Sequence, residues 1–230
     1  MTSRSKTKRV ASEQRRQTEA ELRDAAHARR VRNRVLIAVG GAVGILAVIF
    51  LVSTGGGGPS GGGSYPYQVG SPGPGQTAPA VRLANTQGGE FDLTGQRGKT
   101  VLLYFQEGLS CQPCWDQLKD LDRASAQLTG LGISELVSVT SDPLRDLKQK
   151  ASDEGLTTPV LSDPNLTASQ AYSANQYGMM GSSRDGHSFV LVGPDGRIRW
   201  RADYGGAPNY TMYVPVTHLL ADIRKGIGAA

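Results

Sequence analysis

An uncharged apolar run of 18 residues, Val35 to Val52, constrains this chain before anything else in it. A helix through 18–20 residues is roughly 27–30 Å long, about one hydrocarbon core. Ser53 and Thr54 extend the run without charge. Gly40, Gly41 and Gly44 would be costly in a water-facing helix and are common in membrane helices. A cleaved signal peptide fits less well, because 34 residues precede the run and no clear A-x-A site follows it. Residues 35–54 are therefore expected to form one transmembrane helix. Residues 1–34 carry 11 Lys and Arg against 4 Asp and Glu, and no further cation follows the run until Arg82. The positive-inside rule then places this basic tail in the cytoplasm and the rest of the chain outside the plasma membrane, in a single pass. The whole-chain charge of +5 suggests nucleic acid, but residues after 34 hold 14 basic and 16 acidic side chains. Phosphate binding needs clustered cations, so no nucleic-acid partner is expected for the folded part.

Ser53 to Pro79 holds 10 Gly and 5 Pro in 27 residues without a charge. Such a stretch cannot build a core, and residues 55–78 are read as a linker of roughly 30 Å r.m.s. reach. Residues 79–228 remain as one domain of ordinary size. Within it Val101–Phe105 and Phe189–Val192 are continuous apolar runs, as in strands buried on both faces. Helical spacing of Trp115, Leu118, Leu121 and Leu128 predicts a helix from Cys114 to about Leu128. Ile133–Val139 and Pro159–Leu161 read as strands; Ser141-Asp142-Pro143 opens a helix to about Glu154; Leu166–Tyr172 and Val216–Lys225 read as further helices. Gly193-Pro194-Asp195-Gly196 is a turn, followed by a strand whose Arg197, Arg199 and Arg201 are expected to face solvent. The alternation predicts an α/β fold with helices packed on a mixed sheet. Met179 and Met180 are expected to do no more than pack a loop, and Tyr204-Gly205-Gly206 to turn.

Both cysteines lie in Cys111-Gln112-Pro113-Cys114, after a strand and at the start of a helix. Helix N-terminal amides and the dipole stabilise a thiolate, so a Cys placed there is reactive. Cys111, at the exposed end, is expected to attack a disulfide or peroxide, and Cys114 to resolve the product. Pro113 suits the first helical turn, where its missing N–H is not needed. Three plainer readings compete. A structural disulfide closing so short a loop contributes only about 2 kcal/mol. Zinc would need four ligands, and outside the membrane only His187 and His218 could complete the set. An inert thiol pair would tend to oxidise outside the cell.

Leu103 to Leu118, LYFQEGLSCQPCWDQL, resembles the redoxins of the alkyl hydroperoxide reductase C/thiol-specific antioxidant (AhpC/TSA) group. One branch of that group carries F-x-R-G-x-x-C-P-x-C-x-x-Q-L, with the spacing found here from Phe105 to Leu118. Ala78-Pro79-Ala80, Pro159–Asn165 and Phe189–Gly196 extend the likeness over about residues 69–228. The resemblance implies a thioredoxin-like fold, a redox-active Cys111–Cys114 disulfide with no other cofactor, and an extracytoplasmic location. It implies protein thiols or disulfides, or a hydroperoxide, as reactants, and a separate electron donor. Glu107 stands where that branch has Arg, and is read as a proton acceptor or a surface residue. Arg184 is the nearest match to the arginine with which such enzymes bind peroxide, and Gly186-His187-Ser188 stands where thioredoxins place a cis-proline. His187 is read as tuning the thiolate or as structural. The alternative comes from a second resemblance, to Sco-like copper chaperones. These hold copper through two Cys in C-x3-C spacing and a His shortly before a strand ending in a D-P-D-G turn. On that reading Cys111, Cys114 and His187 would bind Cu(I) without turnover.

Overall fold

The computed structural model describes residues 65–228, so the basic tail, the expected transmembrane run and the first part of the linker lie outside them. Among the described residues no helix is long and apolar enough to cross a membrane.

The apolar run β3 (Val101–Phe105) is the centre of a five-stranded sheet in the order β5-β4-β3-β6-β7. It pairs in parallel with β4 (Glu135–Thr140) and antiparallel with β6 (Ser188–Val192). The outer strands are β5 (Val160–Ser162), parallel to β4, and β7 (Ile198–Asp203), antiparallel to β6. Every residue of β3 and β6 is buried, because both faces of the sheet are covered. On one face Leu102, Tyr104, Phe189 and Trp200 meet helices α1 (Gln112–Arg123), α3 (Leu144–Asp153) and α5 (Val216–Gly228) through Trp115, Leu147 and Leu219. On the other, Leu103, Phe105 and Val190 meet Phe91, Ala168 and Tyr172. The α/β thioredoxin-like architecture and its mixed sheet follow the sequence reading. The helix expected from Cys114 to Leu128 is instead two, α1 and α2 (Ser125–Gly130), separated at Ala124. A short α4 spans Thr167–Ala171.

Both sheet edges are flanked by segments outside the five strands. A hairpin of β1 (Arg82–Ala84) and β2 (Glu90–Asp92) lies beside β5, with Thr86 N–H donating to the Val160 carbonyl at 3.0 Å. Residues 65–79, the C-terminal part of the stretch read as a linker, run along β7. Gln68 exchanges backbone bonds with Asp203 (3.0 and 2.9 Å), and Ile198 N–H donates to Gln76 at 2.9 Å.

This cover corrects one expectation. Arg197 and Arg199 are exposed, but the Arg201 side chain is fully buried. Its guanidinium makes a fork to Asp203 (Nε–Oδ2 2.8 Å, Nη2–Oδ1 2.9 Å) and donates to the Pro72 carbonyl at 3.0 Å. Alternation identified the face, and the returning segment removed its solvent.

Phe105 pairs with Ser188, and Ser188 with Asp203. The loop after β3, the loop before β6 and the loop after β7 therefore leave the sheet at one edge, and the cysteines sit there.

Candidate active site

Cys111 is the N-cap of α1, and its Sγ accepts the Cys114 N–H at 3.3 Å. Sulfur thus takes the place usually held by a Ser or Asp oxygen, sharing the Cys114 amide with the Cys111 carbonyl at 3.1 Å. Pro113 lies in the first turn, as its lack of an N–H requires. Cys111 and Cys114 form a disulfide, with Cα atoms 5.3 Å apart. Cys111 keeps 6% of its surface exposed and Cys114 none. Both pack on Met212, from the segment after β7. That segment is fastened to α1 where Val214 N–H donates to Gln117 Oε1 at 2.6 Å.

The loop before Cys111 is clamped from below. Gly108 adopts φ +82, and a Cβ there would fall 1.7 Å from Asp142 Oδ2, so only glycine fits. Asp142 accepts from Leu109 N–H (2.8 Å), Thr140 Oγ1 (3.1 Å) and Arg184 Nη1 (2.9 Å). Trp115 Nε1 donates to the Gly108 carbonyl at 3.0 Å. Asp142 makes no cap on α3, whose N-cap is Pro143; its carboxylate serves the cysteine loop instead.

Arg184 spans Asp142 and the Glu107 carbonyl (3.3 Å), at the rim of this loop. Glu107 is 4% exposed, so it is not the surface residue that one reading expected. Its carboxylate accepts the backbone N–H groups of Met179 and Met180, holding the loop before β6 against the loop after β3.

His187 is fully buried, edge-on to Tyr104, Phe189 and Tyr204. Its Nδ1 lies 3.1 Å from the Tyr104 hydroxyl, which donates to the Cys114 carbonyl at 3.2 Å. With that hydroxyl proton on the carbonyl, His187 Nδ1–H is the donor to Tyr104 and Nε2 carries the lone pair. Burial alone pushes the imidazole down to about 3; burial, with the Glu107 charge nearby, pushes the Tyr104 phenol well up, so both are neutral in ordinary buffers. The Tyr104 hydroxyl bonds both His187 Nδ1 and the Cys114 backbone carbonyl, and among the described residues no three His, Cys, Asp or Glu side chains are grouped to hold a metal ion.

Tyr104 and Met212 were not singled out by the sequence; Gln117 was seen only as the Gln of the family motif and Asp142 only as part of a helix start. Tyr104 reads as one more apolar residue of a buried strand, and Met212 lies 101 residues after Cys111 with no local pattern to mark it.

A helix N-terminus closed by a disulfide, at the edge of a mixed sheet where strands β3, β6 and β7 meet, is an arrangement for cysteine redox chemistry. The AhpC/TSA family profile matches residues 74–201, more than half of the chain. The chain belongs to the AhpC/TSA family. This redoxin is 34% identical over 130 residues to a Mycobacterium tuberculosis (strain H37Rv) protein named as a peroxiredoxin, covering 54% of this chain and 81% of that one. It is 31% identical over 98 residues to the thiol-disulfide oxidoreductase ResA of Geobacillus thermodenitrificans, covering 43% of this chain and 56% of that one. Among solved structures, the peroxidoxin BcpB of M. tuberculosis superposes with a TM-score of 0.54 at 17% identity, over 66% of this chain and 96% of that one. The structural likeness shows the thioredoxin-like fold, and the family makes this redoxin a thiol-dependent oxidoreductase.

Proposed function

We propose that this redoxin is a membrane-tethered, extracytoplasmic oxidoreductase that works by thiol–disulfide exchange at Cys111–Cys114. Cys111 is the nucleophile and Cys114 the resolving partner. The observation that carries the assignment is Cys111 at the helix N-cap: its sulfur already accepts an amide N–H at 3.3 Å and it alone of the pair reaches solvent. Once reduced, the same amide and the helix dipole favour the Cys111 thiolate. Cys114 lies one turn inside, where it attacks a mixed disulfide on Cys111 and releases the bound partner as a thiol. Support for the tether is the run Val35–Val52 and the cations confined to the chain before it.

Hydroperoxide reduction is the second reading, favoured by the peroxiredoxin name of the 34%-identical relative. Here the Cys111 thiolate takes an oxygen from ROOH, giving a sulfenic acid and, after protonation, ROH. Cys114 then condenses with it, forming the disulfide and water. Two electrons per cycle return from an external thiol donor.

Turnover of the full chain with a dithiol peptide and with hydrogen peroxide, measured side by side, ranks the two substrates. Both activities are expected to fall to background in Cys111→Ser; activity that survives sinks the nucleophile assignment. Protease added to intact cells is expected to remove the domain, and protection from it would reverse the orientation.

A further inference from the structure

The segment after β7 crosses from the sheet onto helix α1, and it is bonded on both sides of Met212. Before Met212, Thr211 N–H donates to the Tyr204 carbonyl at 3.1 Å. After it, the Tyr213 hydroxyl donates to Asp120 Oδ2 at 2.7 Å and Val214 N–H to Gln117 Oε1 at 2.6 Å. Asp120 and Gln117 both belong to α1, the helix that Cys111 caps. The backbone on either side of Met212 is thus tied to the elements that carry the site, and its side chain forms one small apolar cluster with Cys111 and Cys114. Within that cluster Cys111 keeps 6% of its surface exposed, Met212 9% and Cys114 none. Met212 is therefore an outer layer, with Cys114 beneath it.

We infer that Met212 is a specificity-determining residue for the exchange reaction: held by the crossing segment, it closes Cys114 to external reactants and leaves Cys111 as the one sulfur they meet. The inference rests on the thiol-exchange reading and assigns the side chain that keeps the two cysteines in separate roles. The spacing of the motif does not do this by itself, because Gln112 and Pro113 between the cysteines are both exposed. Methionine suits the position. Its unbranched, polarisable thioether fills irregular space and follows the two sulfurs when the bond between them opens. Gln117 gains a role from the same geometry. It is fully buried, and its amide oxygen seats the crossing segment two residues past Met212. Gln117 acts through Met212 and is a positioning residue.

The consequence for exchange is directional. An external thiolate attacks Cys111 Sγ: the bond between the external sulfur and Cys111 forms, the Cys111–Cys114 bond breaks, and Cys114 leaves as a thiolate that takes a proton from water. A second external thiolate attacks the external sulfur of the mixed disulfide and releases Cys111 as a thiolate. The external dithiol is oxidised by two electrons and the cysteine pair reduced by two. Under Met212, Cys114 meets no sulfur but that of Cys111, so it is spared a mixed disulfide of its own.

Alkylation of single cysteines in the full chain tests this. Iodoacetamide is expected to label Cys114 in Cys111→Ser about tenfold more slowly than it labels Cys111 in Cys114→Ser. Adding Met212→Ser to each is expected to speed labelling of Cys114 about tenfold, the scale of uncovering one large apolar side chain, and to leave Cys111 unchanged. Met212→Leu, which restores an apolar cover, is expected to return Cys114 to slow labelling. A merely structural role would speed both cysteines alike, and that result overturns the inference, as does a Cys114 rate unmoved by Met212→Ser. Should Met212→Ser not fold, Gln117→Leu leaves Met212 in place and removes the bond to Val214. It is expected to speed Cys114 labelling about fivefold, one hydrogen bond's worth, and no change in that rate overturns the inference. Failure of dithiothreitol to open the disulfide of the unmodified chain would instead remove the thiol-exchange reading, whatever the labelling rates.

Discussion

Arg201 and Asp203 face each other in the interior with neither side chain exposed. Asp203 also accepts Gly70 N–H at 2.7 Å, so the pair holds the 65–79 segment as well as itself. A buried pair is often no better than apolar groups of the same size, but one charge left alone is expensive. Asp203→Ala is expected to lower unfolding stability by about 3–5 kcal/mol, read from urea denaturation. Arg201→Met together with Asp203→Leu is expected to recover much of that loss, because no unpaired charge remains. A single variant that costs nothing would mean the guanidinium reaches water. At this scale the sequence was a poor guide: Arg197, Arg199 and Arg201 look alike in it, and only contacts made by Gly70 and Pro72 separate the third.

Helix α5 shows two local effects in opposition. Replacing glycine by alanine inside a helix ordinarily gains about 1 kcal/mol. At Gly226 the added Cβ would fall 2.0 Å from Trp200 Cδ1 and 2.8 Å from Nε1. Trp200 is 3% exposed within β7 and has no room to retreat. Overpacking of this kind costs about 1–3 kcal/mol, more than the propensity gain. Gly226→Ala is therefore expected to lower the thermal midpoint while raising the helicity of an isolated α5 peptide; a raised midpoint would show that α5 does not press on Trp200. The existence of α1 and α5 was legible from their apolar spacing, that of α3 from the Ser141-Asp142-Pro143 start signal, and that of β3 and β6 from continuous apolar runs. The strap along β7 was not, because its contacts come from pairing with the sheet rather than from its own residues; the hairpin β1–β2 went unread although Val81-Arg82-Leu83 and Phe91-Asp92-Leu93 alternate on either side of Gly88-Gly89.

Two buried titratable groups shape the stability of the whole molecule with opposite signs. Burial pushes His187 down to about 3, so the folded state stays neutral while the unfolded imidazole takes a proton below about 6.5. Stability from His187 is therefore lost as pH falls below that value. Asp185 is 1% exposed, and burial, with the charges of Asp163 and Asp142 nearby and against the opposing effect of the Ser169 hydroxyl, pushes it up to about 8. The folded carboxyl keeps its proton while the unfolded one gives it up near 4, so stability is lost as pH rises from about 4 to 8. Between about pH 4 and 6.5 the two slopes cancel. Above 6.5 only the Asp185 slope remains, about 1.4 kcal/mol per pH unit. Stability is expected to fall by about 2 kcal/mol from pH 6.5 to 8, read from urea midpoints, and to stay level over that range in Asp185→Asn. A fall that persists in the variant would assign the proton to another group.

The sequence by itself determined the α/β alternation, the placement of both cysteines between a strand and a helix, and the charge asymmetry around an apolar run. Each is a local pattern, set by side-chain periodicity or by spacing along the chain. Only the tertiary structure decided that Met212 covers the disulfide, that Tyr104 links His187 to the Cys114 carbonyl, and that Asp142 leaves its own helix to hold the cysteine loop. These contacts join residues 10 to 101 positions apart, and they form because strands β3, β6 and β7 bring their loops to one edge of the sheet.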